Sequence, residues 1–243
     1  MALYDKLPVA DPDEYTYSVT GEWSRQKHLP LWNYLRIVST GMKDQFASRV
    51  YIDLYAGAGK ARIKGTDELL LGSPLLALAV RDAFDRHVFC EADPELFAAL
   101  SARVSAHANG ARAVLISGDA EKSVEQILTV VPRLKTLSLC FVDPYDLGFS
   151  FEMIRRLSHD RRMDFLVLVA AQMDGQRNER VYARPESRKI ERLLNDPDWR
   201  TKWAQVSSHK KFATFLVERF TAAMLEIGYQ TPPPDAEPIG GTV

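Results

Sequence analysis

Val50-Tyr51-Ile52-Asp53-Leu54-Tyr55-Ala56-Gly57-Ala58-Gly59 runs from an apolar stretch into a Gly-x-Gly turn. Residues 50–55 read as a strand buried on both faces, because the run is nearly continuous in apolar residues instead of alternating. Four more runs occur at residues 87–91, 113–117, 137–142 and 165–171, separated by helical patterns. Gly72-Ser73-Pro74 opens one helix, with Ser73 as N-cap and Pro74 in the first turn, and Asp93-Pro94-Glu95 repeats the device. Asn109-Gly110 stops that second helix. A third helix runs from Gly118-Asp119 to about residue 130, and a fourth spans about 150–157. Strand–helix alternation of this kind predicts an α/β fold: a three-layer, doubly wound, mostly parallel sheet. Such sheets bind ligands beyond the carboxyl ends of their strands. Asp53, Glu91, Asp119 and Asp143 all sit at such ends.

The rest of the chain frames this unit. Residues 1–22, with Pro8 and Pro12, read as a surface arm. An N-terminal helical extension covers about 23–40, with Leu31, Trp32, Leu35 and Val38 at helical spacing and Pro30 expected to start or kink it. A single domain is expected over 23–230, and residues 231–243, with Pro232-Pro233-Pro234, read as a disordered or extended tail. A last helix spans about 210–227 and stops at Gly228. The 243 residues are 46% hydrophobic with a net charge of −1, so no global basic field draws in nucleic acid. No apolar run reaches bilayer length and the first residues lack a signal-peptide core. Cys90 and Cys140, each in an apolar run, read as buried free thiols, with no metal-ligand spacing. These features suggest a reducing cytoplasm and no membrane.

Three strand tips together suggest a ligand. An amino-acid tail needs backbone groups and an acid, which Asp53, Tyr55, Ala56, Gly57 and Gly59 offer, with Ser73 opening the next helix. Ribose hydroxyls need a carboxylate that accepts both, and Glu91 stands at the second tip. An adenine amine needs an oxygen acceptor at its edge, and Asp119, with Ala120 next to it, stands at the third. S-adenosyl-L-methionine has these three parts. A dinucleotide is the rival, since Gly-x-Gly alone is a weak signal. Dinucleotide folds carry the pyrophosphate on a helix that begins inside the glycine loop. Here residues 60–71, rich in Lys, Arg and Asp, separate Gly59 from Ser73, and Arg62 stands where the third glycine belongs.

Several of these motifs in combination resemble the three-Cys-motif partner family, a bacterial group with a class I methyltransferase-like fold. They are Lys27-His28, the 51–59 loop, Gly72-Ser73-Pro74, Cys90-Glu91, Gly118-Asp119, Phe141-Val142-Asp143-Pro144-Tyr145 and Asn195-Asp196-Pro197-Asp198-Trp199. The resemblance covers about residues 20–230. It implies a Rossmann-like fold, S-adenosyl-L-methionine as cofactor, and a neighbouring three-cysteine-motif protein as partner. It implies little about substrate. The chain departs from the pattern after Gly228, where fifteen residues are too few for the two strands that usually complete such a sheet.

Asp143-Pro144-Tyr145 resembles the Asp-Pro-Pro-Tyr signature of methyltransferases that act on exocyclic amines of nucleobases. There an acid and a carbonyl accept from the amine while the aromatic ring stacks on the exposed base. This chain has one proline fewer, and the other reading is a turn with Tyr145 packed inward. Arg177, Arg180 and Arg184 lead a basic stretch that could contact phosphates or simply face solvent. Lys27 is a further substrate candidate. Trp199 and Trp203 are either a stacking platform or packing for the last helix. The leading expectation is a methyltransferase acting on a nucleic-acid base or related amine. The alternatives are a non-catalytic cofactor-binding partner subunit and a dinucleotide oxidoreductase.

Overall fold

Helix breakers and apolar runs divide the chain into eight strands, nine α-helices and one π-helical turn within residues 6–230, the part that the computed structural model describes. In chain order these are β1 (Ser18–Thr20), α1 (Ser24–Gly41), β2 (Ser48–Asp53), β3 (Lys60–Ile63), β4 (Leu69–Leu71), α2 (Ser73–Ala79), β5 (Arg86–Glu91) and α3 (Pro94–Ala106). Next come β6 (Ala113–Ser117), α4 (Val124–Val130), β7 (Thr136–Val142), α5 (Phe151–Ser158), β8 (Arg162–Val167) and the π-helical turn Ala171–Gln176. The chain ends with α6 (Arg177–Tyr182), α7 (Lys189–Leu194), α8 (Trp199–Val206) and α9 (Phe212–Glu226). The tail expected over 231–243 lies outside the described residues.

The main sheet has the order β6-β5-β2-β7-β8, all parallel and flanked by helices. Numbered by appearance within the sheet, that order is 3-2-1-4-5, the Rossmann-like arrangement expected of a methyltransferase fold. The switch point falls between β2 and β7, the two strands whose inner residues are the most buried. A second sheet, β1-β3-β4, pairs β1 parallel to β3 and β3 antiparallel to β4. Its last two strands fall in residues 60–71, the charged segment that sequence showed only as separating Gly59 from Ser73. Lys60-Ala61-Arg62-Ile63 alternates between inward alanine and isoleucine and outward charges, the period of a half-buried strand.

Three further expectations shift. Ser73 is not the N-cap of α2: Gly72 holds that position and makes no side-chain bond, while Ser73 is the buried first helical residue. Pro30 does not start α1 but lies inside it, which leaves the reading of a kink; the carbonyl it leaves without a helical donor belongs to Gln26, an exposed residue. β8 begins at Arg162, three residues before the apolar run, and stops at Val167 because the chain turns into the π-helix at Ala171. The capping of α3 stands as read, with the Asp93 side chain accepting from Glu95 and Leu96 N–H.

Two compact units emerge among the described residues, 6–142 with 160–166 and 143–159 with 167–230. The first holds both sheets and α1 to α4. In the second, α9 buries Phe212, Phe215, Leu216 and Phe220. Trp199 and Trp203 pack on Phe212 at ring-centroid distances of 5.9 and 5.1 Å, so they form core rather than a stacking platform.

Two buried histidines make the first unit sensitive to acid. Burial, reinforced by Lys27, pushes His28 down to about 3, and burial pushes His87 to about 4. Both are neutral at pH 7. An unfolded histidine takes a proton near pH 6.5. Between pH 6.5 and about 4 the unfolded chain therefore binds protons that the folded chain refuses, so stability is complete above that window and falls as pH drops through it. We expect a loss of about 2 kcal/mol per histidine at pH 5. Thermal melts from pH 8 to 4.5 test this: Tm should be flat at the alkaline end, and His28→Gln should flatten the acid slope.

Candidate functional site

β2 carries Tyr51 and Asp53 on the same face, since alternate residues of a strand share a side. Both are fully buried. The Tyr51 hydroxyl donates to Asp53 Oδ2 at 3.1 Å, and burial next to Asp53 keeps the phenol protonated.

Beyond Asp53 the loop is held residue by residue. Ala56 N–H donates to the Cys90 carbonyl (3.0 Å), Gly57 N–H to Glu91 Oε2 (2.7 Å) and Ala58 N–H to Ser18 Oγ (3.0 Å). The Gly59 carbonyl accepts from Gly72 N–H at 2.8 Å. Gly57 and Gly59 have φ of +61° and +80°, which L side chains avoid, and a Cβ at Gly57 would lie 2.9 Å from Ser18 Oγ. A Cβ at Gly72 would lie 3.0 Å from the Gly59 oxygen. That close approach folds residues 60–71 into a hairpin and returns the start of α2 to the loop. Separation in sequence is not separation in space here. The length of the gap is therefore no contrast with a dinucleotide site, and what remains of that contrast is Arg62 in place of a third glycine.

Glu91 ends β5 with both carboxylate oxygens oriented, Oε2 by Gly57 N–H and Oε1 by Asp93 N–H at 2.8 Å. Each oxygen keeps a second lone pair. At the next tip Gly118 N–H donates to the Glu91 carbonyl, and exposed Asp119 accepts from Lys122 N–H through Oδ1 at 3.1 Å. Ala120 is buried behind it. Tyr55 is half-buried close to the same tip; burial, with the charges of Glu121 and Asp119, raises its phenol pKa. Cys90 and Cys140 are free and buried, as read from sequence, with Cys90 pushed up to about 11 by burial. Asp53, Tyr55, Ala56, Gly57, Gly59, Ser73, Glu91, Asp119 and Ala120 thus lie at the carboxyl ends of β2, β5 and β6. Lys27 is placed on α1, with Nζ 4.6 Å above the Trp23 ring.

The second unit brings together the other candidates. Asp143 is half-buried, Pro144 buried, and Tyr145 102% exposed, which excludes the inward-packed reading of that ring. Asp174, in the π-helical turn, ties this loop to the start of α6. Its carboxylate accepts from Leu147 N–H (3.0 Å), Asn178 Nδ2 (2.7 Å) and the Tyr182 hydroxyl (2.7 Å to each oxygen). Burial alone would raise its pKa, but these bonds outweigh burial and lower it. Lys189 Nζ pairs with Asp146 Oδ2 at 2.6 Å and lies 5.5 Å from the Tyr182 ring centroid. The 143–147 loop is thereby joined to the helix that bears Arg177 and Arg180. Both arginines are exposed, as is Arg184 in the next turn. Arg200 fixes that turn by donating to the carbonyls of Ala183, Arg184 and Ser187.

Sequence reasoning passed over Ser18, Asp174 and Arg200. Asp174 had a usable signal, an acid just past the fifth strand. Ser18 and Arg200 had none, because their partners lie far along the chain.

No protein-family model matches the chain, and no curated protein matches it significantly. Solved structures that resemble it include LPL1258 of Legionella pneumophila, assigned to DUF519, at 14% identity and TM-score 0.47 over 86% of this chain and 75% of that one. Another is yhhF of Escherichia coli, a provisionally named methyltransferase, at 17% identity and TM-score 0.36 over 65% and 68%. A conserved hypothetical protein of Streptococcus pyogenes matches at 18% and 0.34 over 51% and 67%. At these scores the assignment of the fold rests on the strand order of the chain itself.

Proposed function

We propose that the protein is an S-adenosyl-L-methionine-dependent methyltransferase acting on an exocyclic amine of a nucleic-acid base or a related amine. The observation that carries this reading is the Glu91 carboxylate, held by two backbone N–H groups at the tip of β5 with a lone pair left on each oxygen. A rigid carboxylate of that kind suits the vicinal hydroxyls of a ribose. Asp119 at the adjoining tip supplies an acceptor for the adenine amine, and buried Asp53 with the glycine turn faces the amino-acid tail.

The cofactor supplies a methyl group already activated on a cationic sulfonium, so the protein's task is positioning. Asp143 and the Pro144 carbonyl accept from the acceptor amine and keep its lone pair aimed. Tyr145, fully exposed, offers its face to the base. Arg177, Arg180 and Arg184 contact phosphates without reading sequence.

Asp174 positions this loop through Leu147 N–H. Asp174→Ala is expected to lower kcat about tenfold, the effect of one lost charge-assisted bond, while cofactor affinity stays within twofold. Single-turnover kinetics alongside calorimetry would check it. The function as a whole is tested by tritiated-methyl transfer to RNA, DNA and protein fractions. Incorporation into nucleic acid supports it. No incorporation anywhere, with S-adenosylhomocysteine still bound, would favour the non-catalytic partner subunit and direct the search to a three-cysteine-motif protein.

A further inference from the structure

The glycine loop is gripped from a part of the chain that no cofactor motif includes. Arg103, on α3, is buried with its side chain 3% exposed. Its guanidinium donates to five acceptors: both Asp13 oxygens (2.6 and 3.0 Å), the carbonyls of Tyr15 (3.2 Å) and Thr16 (2.9 Å), and the Ala58 carbonyl (2.6 Å). Four of the five lie on the N-terminal arm and the fifth is in the glycine loop. Lys60 Nζ adds a bond to Asp13 at 2.8 Å, and the Tyr17 ring is flanked by Arg103 and Arg62 at 4.9 and 4.8 Å. The arm then enters β1, where Ser18 pairs with Ala61 and turns Oγ onto Ala58 N–H. Both polar groups of the Ala58 residue are therefore held, the N–H by Ser18 and the carbonyl by Arg103.

We propose that the N-terminal arm is a working part of the cofactor site, with Ser18 and Arg103 as positioning residues that set the glycine loop in its binding geometry. The inference rests on the proposed cofactor. Its physical basis is preorganisation: a loop already held in its bound shape loses less conformational freedom on binding. A buried arginine satisfied by five acceptors, four of them on one strap, is an expensive device for anchoring a surface arm alone.

The test uses the full chain and S-adenosylhomocysteine as probe. Ser18→Ala removes one acceptor from a half-buried site without opening the core. It should weaken binding about fivefold, the scale of one neutral hydrogen bond, and speed hydrogen exchange at the Ala58 amide, with an unchanged circular dichroism spectrum. Ser18→Thr, which keeps the hydroxyl, should restore both. Arg103→Met should weaken binding at least tenfold if it folds, and should make a further Ser18→Ala change nearly silent. Unchanged affinity in Ser18→Ala overturns the proposal, whatever the exchange rate. If the unaltered protein fails to bind the probe, the cofactor reading falls. Exchange at Ala58 then decides alone whether the arm sets the loop: faster exchange in Ser18→Ala sustains that point, and no change overturns it.

Discussion

Glu91→Ala should weaken S-adenosylhomocysteine binding by about 100-fold, the largest loss expected from any single change in the first unit. Two contributions add. The variant loses a carboxylate placed to accept both ribose hydroxyls, and hydrogen bonds to a charged group are worth roughly 1.5–3 kcal/mol each. It also leaves Gly57 N–H without its acceptor, which frees the turn that the ligand must meet. Glu91→Gln separates the two effects. Its carbonyl oxygen can still take Gly57 N–H, but its amide nitrogen then faces Asp93 N–H, donor against donor. Calorimetry on both variants, with circular dichroism to confirm the fold, is the measurement. Near-equal affinity of Glu91→Ala and the unaltered chain would remove the central observation behind the proposed cofactor.

Asp143→Ala should lower kcat by about 100- to 1000-fold while the cofactor dissociation constant stays within twofold. Removing one preorganised hydrogen-bonding partner of a reacting group costs on that order. The split between kcat and binding matters, because a change confined to the turnover step marks a group that acts in the transition state. Tyr145→Ala provides the contrast. Its ring is fully exposed among the described residues, so its loss should raise KM for a nucleobase acceptor through lost stacking, about 1–3 kcal/mol, with little cost to stability. If Asp143→Ala turns over at the original rate, the Asp143-Pro144-Tyr145 segment is a strand-ending turn and the acceptor site lies elsewhere.

Strand tips were the legible part of the candidate site. A parallel strand buried on both faces must be a continuous apolar run, so an acid at its end is conspicuous, and Asp53, Glu91, Asp119 and Asp143 were each visible for that reason. The cap of α3 was visible too, because an Asp-Pro pair has a local physical meaning. Residues 60–71 were not, since β3 is four residues with two charges, β4 is only three residues, and β3 takes its outer partner from β1, about 40 residues earlier in the chain. Ser73 was misassigned for a related reason: a serine before a proline looks like a cap, and only the folded backbone shows that the helix starts one residue earlier, with Gly72 as its cap.

The glycine loop shows the same division most clearly. Sequence alone determined that a tight turn ends a buried strand, because only glycine enters the positive-φ region at little steric cost. From spacing it also determined the alternation that yields a parallel sheet flanked by helices. Tertiary structure decided what holds the turn. Glu91 is 34 residues from Gly57, Ser18 is 40 from Ala58 and Arg103 is 45 from Ala58. Hydrogen bonds act over about 3 Å and leave no periodic trace in a chain. Residues so far apart become one site only when β1, β5 and α3 are folded against the end of β2.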